Sequence, residues 1–348
     1  MNPGSVQLQV SWNGTQVTGA DITNSRPEAA QLLRHRSPAE ALVLVPLLFS
    51  ICRHAQGTAA AAALASAEGL SAVTEDIAVG AEAAREHLWR LLLDWPKALG
   101  CEPDLATYSA WHRQLGDVAE RRDWSTVGSD LKRFCEDRLL GMDTAAWLSS
   151  NGQSGLPAIY RERLPPCEAA SVPPEEFSFL PTDMSARQYC AAIPTAEDAY
   201  HPTWQGRPAE TGAYARWHAL PPVARSRSPL VARMNARMAD LAHLALEASG
   251  EASPFLRCDS HSPAFGSGFA VVETARGLLM HWVRLERRRI EDYRIVAPTE
   301  WNFHPAGAFA AGLTGLEAPD PAAIERHARL LALALDPCVP FTVEVRSA

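Results

Sequence analysis

The sequence predicts a mainly α chain with small β elements, an α+β fold, and three observations carry that reading. Near the start, Val6, Leu8, Val10 and Trp12 alternate with polar residues and run into Asn13-Gly14. Alternation broken by Asn-Gly signals a hairpin, because both turn residues tolerate positive φ. From about Pro38 to Leu99 the apolar residues recur at helical steps. From Phe269 to Val296 the pattern turns β-like, in three short apolar runs.

Taken in order, residues 1–20 form the hairpin and 38–150 a helical region. Ala81, Ala84, Leu88, Leu91, Leu92 and Trp95 share one helix face, with Arg85, Glu86 and Arg90 opposite. Further helices are expected over Asp104–Leu115 and Val127–Leu140, parted by Gly116 and a polar stretch. Residues 152–229 are rich in proline, including Pro165-Pro166, Pro173-Pro174 and Pro221-Pro222. Locked φ and missing N–H donors exclude long helices there and favour extended crossing segments. Residues 230–348 resume with a helix whose Val231, Met234, Met238, Leu241 and Ala245 form a core stripe. The β-like runs follow, then a helix through Ile324, Ala328, Leu331 and Leu335, and a last strand over Pro340–Val345.

Composition bounds the function. The chain has 348 residues, 47% hydrophobic and 21% charged, with a net charge of −8. Such a chain buries a core, and its acidity argues against nucleic acid as a partner. Lys97 and Lys132 are the only lysines, a bias that reads as codon usage. The apolar run Ala41–Cys52 is short for a membrane span and contains Pro46, so it reads as a buried helix or strand. With no signal-peptide pattern at the start, the expectation is a cytoplasmic protein with no membrane partner.

Seven cysteines occur without a CxxC pair, so the usual zinc and iron–sulfur patterns are missing. Cys258-Asp-Ser-His261 has ligand-like spacing but stands alone and reads as a loop. Cys101, Cys135, Cys167 and Cys190 read as small apolar fillers. GxSxG, P-loop and GxGxxG patterns do not occur, which removes support for hydrolase and nucleotide-binding readings.

Two cysteines sit in unusual text: Cys52 in Ser50-Ile-Cys-Arg-His54-Ala55-Gln-Gly-Thr58, and Cys338 in Asp336-Pro-Cys-Val-Pro-Phe341. Between them lie Glu210-Thr-Gly-Ala-Tyr-Ala-Arg216, Glu273-Thr-Ala-Arg276-Gly277 and Val296-Ala-Pro298-Thr299-Glu-Trp301-Asn302. In this order the five segments resemble the signatures of nickel–iron hydrogenase large subunits: RICGVCxGTH, EVGPLAR, EAPRGxLxHW, VxPTxWNxxPRD and DPCxxCxxH. The resemblance touches both ends and the last third of the chain, and matches little over roughly 100–195. It implies a trimmed large-subunit fold, a single domain over 1–348.

The departures from the family pattern shape the expected function. In those enzymes each CxxC supplies one terminal and one bridging thiolate. Here Cys52 and Cys338 hold the terminal positions, while Ala55 and Phe341 replace the bridging cysteines. Neither replacement can ligate a metal, so a four-thiolate nickel–iron site cannot form and no nickel is expected. Arg34 stands at the family's proton-relay glutamate, Ala59 replaces a histidine, and Ala306-Gly307 replaces Arg-Asp. Glu344 replaces the last histidine, close to the chain's end, so a cleavable extension is not expected.

The resemblance nevertheless implies that the pocket for iron's diatomic ligands persists, with Arg276, Pro298 and Thr299 at the cyanide-binding positions. A metal-bound cyanide is an anionic acceptor, and a guanidinium gives it charge-assisted donation. An arginine beside a cysteine also favours the thiolate. The combination resembles the HupK/HoxV-type hydrogenase expression/formation proteins. That implies an accessory scaffold which binds or assembles the Fe(CN)2CO fragment on Cys52 and Cys338, with His54 as a third ligand. Implied partners are a HypC/HupF-type chaperone, a HypD-type iron–sulfur protein and the hydrogenase large-subunit precursor.

Plainer readings stand beside these. Cys52 and Cys338 are also read as buried relic thiols, and the protein as a metal-free mimic of the large subunit that holds maturation partners. Arg276 also reads as a partner of Glu273 or of backbone carbonyls, and His54 as a structural histidine. Glu210 and Arg216 read as a buried structural pair, and Trp301 and Asn302 as core and turn residues. Arg284 with Arg287–Arg289 is either a solvated strand end or a docking patch.

Overall fold

The protein is described by a computed structural model covering residues 4–25, 29–70, 76–164, 178–193 and 199–347. Its longer strands are β1 (Val6–Trp12), β2 (Val17–Asn24), β3 (Cys258–Ala264), β4 (Ser267–Thr274), β5 (Gly277–Glu286), β6 (Arg289–Val296) and β7 (Phe341–Ser347). Its longer helices are α1 (Pro38–Leu48), α2 (Arg53–Ala67), α3 (Ile77–Trp89), α4 (Leu105–Arg121), α5 (Pro229–Ala248) and α6 (Pro321–Leu335).

β1 and β2 form the expected antiparallel hairpin, reaching Asn24 rather than stopping near residue 20. The Asn13 side chain accepts the Thr15 and Gln16 amides and shapes the loop. β7 adds parallel to β1, pairing Val6 with Phe341 through Trp12 with Ser347, so the two ends of the chain share one sheet. The strands β3 to β6 form an antiparallel meander. Its period of two divides the core: Ala270 and Val272 join the cluster around α2, while Phe269 and Val271 pack with Tyr189, Trp204 and Trp301.

Helix starts follow capping chemistry. Ser37 and Glu40 make a reciprocal capping box at α1. Asp76, Asp104, Ser228 and Asp320 accept first-turn amides of α3, α4, α5 and α6. α3 continues through a π-helical turn, Arg90–Asp94, into the short helix Trp95–Ala98.

Several expectations need correction. Gly116 lies inside α4, where its missing side chain meets open space, and the helix ends instead at left-handed Arg122. The run Ala41–Cys52 is not a buried segment: α1 exposes Leu42, Val43 and Leu47. Within 152–229 the described stretches are short helices, such as Gly155–Arg161 and Ala186–Ala192, more than extended crossings. Pro165-Pro166, Cys167 and Pro173-Pro174 lie outside the described residues.

Alanine-rich α2 lies directly on the sheet, and this contact sets its N-terminus, hence Cys52, near the β4–β5 turn that carries Arg276. The approach needs Gly268, where a Cβ would overlap the Ala63 carbonyl oxygen and crowd the Ala67 amide. Gly268→Ala is expected to destabilise the fold by about 1–3 kcal/mol, seen as a lower urea midpoint.

Candidate functional site

Cys52 is the N-cap residue of α2, and Cys338 follows the C-terminus of α6 by three residues. Both line one cavity of about 20 Å³ with Arg276, Gln56, Glu82 and Glu86. Pro298, Ala297, Val79, Ala83 and Leu279 supply apolar wall. That volume admits roughly one water-sized molecule. Both cysteines are half-buried.

Arg276 occupies the β4–β5 turn and is buried. Its Nη2 donates to Glu86 Oε2 at 2.6 Å. Its Nε lies 3.3 Å from Asp336 Oδ1 without the angle of a hydrogen bond, so that donor has no hydrogen-bond partner. Burial opposes the charge, but Asp336 above all, then Glu86, Cys338 and Cys52, raise the pKa well above the ordinary arginine value. The partner is thus Glu86 with Asp336, not Glu273.

Asp336 is the hub of the site. Left-handed at φ 55°, it ends α6 where glycine is usual, and it is buried. Arg90 reaches Oδ1 through Nε at 2.7 Å and Arg237 reaches Oδ2 through Nη1 at 3.0 Å. Against its burial, Arg276, Arg90 and Arg237 hold this carboxyl far below the usual carboxylate range. The π-helical turn bears Arg90, while Arg237 and Asp240 lie on α5.

From this hub the charges continue inward. Arg237 Nη1 lies 3.1 Å from His87 Nδ1, and His87 Nε2 lies 3.0 Å from Asp240 Oδ2. Nδ1 therefore accepts and Nε2 donates, as a neutral imidazole; burial first lowers the His87 pKa in agreement. Arg216 donates twice to Asp240, at 3.1 and 2.6 Å, and at 2.5 Å to Glu273. Glu210 instead makes a bidentate pair with Arg233 at 2.8 and 2.5 Å. Glu210 and Arg216 are both buried as expected, but each has a different partner.

The remaining expected residues divide. Thr299 Oγ1 donates to Cys338 Sγ and accepts the Cys338 amide, both at 3.2 Å. Its hydroxyl therefore serves the cysteine and does not line the cavity. Asn302 accepts the Thr211 amide at 2.9 Å and donates to the Leu335 carbonyl at 3.2 Å, pinning the end of α6. Trp301 is fully buried in the core, as expected. His54 is not brought to the cavity: its Nε2 accepts from Arg53 Nε at 3.2 Å. Ala55 is fully buried, and Phe341 belongs to β7 and packs with the hairpin core. Neither lines the cavity.

Sequence reasoning missed Gln56, Glu82, Glu86 and Asp336. Gln56 faces the cavity one turn after Cys52, and its Oε1 accepts from His281 Nε2 at 2.9 Å. Glu82 accepts the His54 and Ala55 amides at 2.8 and 3.0 Å, placing a carboxyl at the N-terminus of α2. Burial pushes its pKa up to about 7. Polar residues amid alanines on α3, four apart, were the available signal. Among the described residues, groups of three or more His, Cys, Asp or Glu placed to hold a metal ion do not occur.

The fold is that of nickel–iron hydrogenase large subunits. The Ni-Fe-Se hydrogenase of Desulfovibrio vulgaris Hildenborough superposes with a TM-score of 0.60 over 94% of each chain, at 16% identity. Residues 223–343 match the nickel-dependent hydrogenase family. Full-length similarity is more specific. The hydrogenase expression/formation protein HoxV of Cupriavidus necator is 35% identical, covering 94% of this chain and 93% of that protein. The hydrogenase expression/formation protein HupK of Rhizobium leguminosarum is 32% identical, covering 100% and 98%. The chain belongs to the HoxV/HupK family of hydrogenase expression/formation proteins.

Removing one partner from a buried ionic cluster leaves charge uncompensated. Asp336→Asn should cost about 3–5 kcal/mol in chemical denaturation. Glu82 gives a pH signature of opposite origin. Its folded pKa of about 7 exceeds the ordinary 4.5, so the native state binds the extra proton between those values. Stability from this group therefore falls as pH rises through that window. The stability of the wild type relative to Glu82→Gln is expected to be greatest near the lower value and to shrink toward the upper one, measured by urea titration.

Proposed function

We propose that this protein is a non-catalytic scaffold in hydrogenase maturation that carries the Fe(CN)2CO fragment before its transfer to the large subunit. One observation supports this reading most: Arg276, buried between Cys52 and Cys338, keeps a guanidinium donor without a hydrogen-bond partner. A buried donor left unmatched costs about 1–3 kcal/mol, and a ligand that accepts from it recovers that loss. Soft thiolates suit iron, and a cyanide nitrogen suits a guanidinium. The expression/formation relatives support the coarser role in hydrogenase maturation.

As cargo, the fragment exceeds a 20 Å³ cavity, so loading requires the Cys52 or Cys338 turn to move outward. The half-burial of both cysteines fits an entry from the surface. With Ala55 and Phe341 in place of further thiols, hydrogen turnover is not part of this reading. A second reading, a metal-free mimic of the large subunit, draws on the same small volume. There the cluster serves only to keep the fold.

Infrared spectra of protein purified from cells that express the maturation machinery separate the two. Cyanide and carbonyl bands are expected in the wild type, absent from Cys52→Ala and Cys338→Ala and shifted in Arg276→Lys. A wild-type spectrum without such bands, with partner binding intact, would establish the metal-free reading. Nickel in equal amount with iron, together with hydrogen uptake, would restore an enzyme.

A further inference from the structure

We propose that the face formed by the β5–β6 turn and α1 is the docking surface for an acidic protein partner, and that it orients that partner toward Cys52. The proposal rests on the scaffold reading only for what the partner exchanges.

The turn joining β5 and β6 consists of Arg287 and Arg288, with φ of 49° and 61°. Two left-handed residues make the tight hairpin that Asn-Gly usually supplies. A non-glycine residue held there is strained, and here both positions are exposed arginines. The following strand begins with exposed Arg289, whose Nη1 donates to the His35 carbonyl at 2.9 Å. The His35 amide donates to the Ile290 carbonyl at 2.7 Å, and the Ile290 amide to the Arg36 carbonyl at 2.9 Å. Arg34 and Arg284 converge on Glu291, through its carbonyl at 3.1 Å and its carboxylate at 2.9 Å. Six arginines, 34, 36, 284 and 287–289, are thereby gathered on one sheet corner.

The capping box at Ser37 starts α1 directly from this corner. Leu42, Val43 and Leu47 lie on its outer side at 41%, 65% and 72% exposure. The helix then leads through Phe49 and Ser50 to Cys52. A basic corner, an apolar strip and a half-buried cysteine thus follow one another along one path.

Charge decides the occupant. The whole chain carries −8, so an acidic protein is repelled by most of it and attracted at this corner. A second copy bound about a two-fold axis would set arginine against arginine. Glu40, Glu286 and Glu291 are interleaved with the arginines, so the positive charge comes as separate points that suit spaced carboxylates on a folded protein. Pelleting with anionic vesicles tests the bilayer. The fitting partner presents an apolar centre ringed by carboxylates.

The test uses the purified full-length chain and three purified probes: the HypC/HupF-type chaperone, the HypD-type protein and the large-subunit precursor. Arg287→Glu with Arg288→Glu, and separately Leu47→Asp, are expected to weaken binding of at least one probe tenfold or more. High salt should erase the effect of the arginine pair and leave that of Leu47→Asp. Each variant's melting curve should match the wild type. Cys52→Ala with Cys338→Ala should bind like the wild type, which separates docking from cargo binding. Unchanged binding in both surface variants overturns the proposal. So does a wild-type dimer that the variants dissociate in light scattering, or pelleting with phosphatidylglycerol vesicles that the variants abolish.

Discussion

The attraction between Asp336 and three guanidiniums is the constraint around which the site end of this protein is assembled. Arg90 follows α3, Arg237 lies within α5, Arg276 forms the β4–β5 turn, and Asp336 ends α6. Four elements remote in sequence meet at one carboxylate. Burying three like charges together is prohibitive unless each finds a counter-charge. Glu86 supplies the second for Arg276, while Asp240 and Glu273 compensate Arg216 farther in. The four arginines are matched by four carboxylates, so the cluster holds the elements in one arrangement.

Cys338 inherits its place from this cluster and from the terminal sheet. It lies two residues beyond Asp336 and three before β7, whose parallel ladder with β1 fixes it from the other side. Asn302 binds the Leu335 carbonyl and Thr299 grips Cys338 through its sulfur and amide. Cys52 is held independently, by the Glu82 carboxylate on the first amides of α2 and by the close seat of α2 on Gly268. Sulfurs from opposite ends of the chain therefore meet at one cavity through two separate sets of constraints.

Much of this was legible in the sequence, and the parts that were not share a cause. The hairpin and strands β4–β6 follow from local periodicity, which acts within a few residues, whereas Cys258-Asp-Ser-His261, expected as a loop, lies in β3. The shared location of Cys52, Cys338, Arg276 and Pro298 was legible too, because five ordered motifs carry it. Periodicity tells only part of α5. Its Val231–Met234–Met238 stripe is core, but Arg233, Arg237 and Asp240 on the remaining face are buried as well. A helix with a polar face reads as solvent-exposed unless the matching charges are known, and Glu210, Asp336 and His87 lie far away in sequence. Glu210 and Arg216 were paired by proximity along the chain, where geometry chose Arg233 and Asp240. At α1 the error ran the other way, since an apolar run suggests burial and its outer side is open.

A carrier has to release what it holds, and the electrostatics of Arg276 suit that under the proposed reading. A lone buried guanidinium would grip an anionic ligand with a full unit of charge in a low-dielectric site. Arg276 is already compensated by Glu86 and Asp336, so under this reading it would meet a cyanide with little net charge behind it. Under the same reading both bridging positions lack sulfur, and iron would rest on Cys52 and Cys338 alone among the four family positions. Under the scaffold reading, Ala55 and Phe341 at the bridging-cysteine positions and the compensated charge of Arg276 act in one direction, toward a site that gives its cargo up.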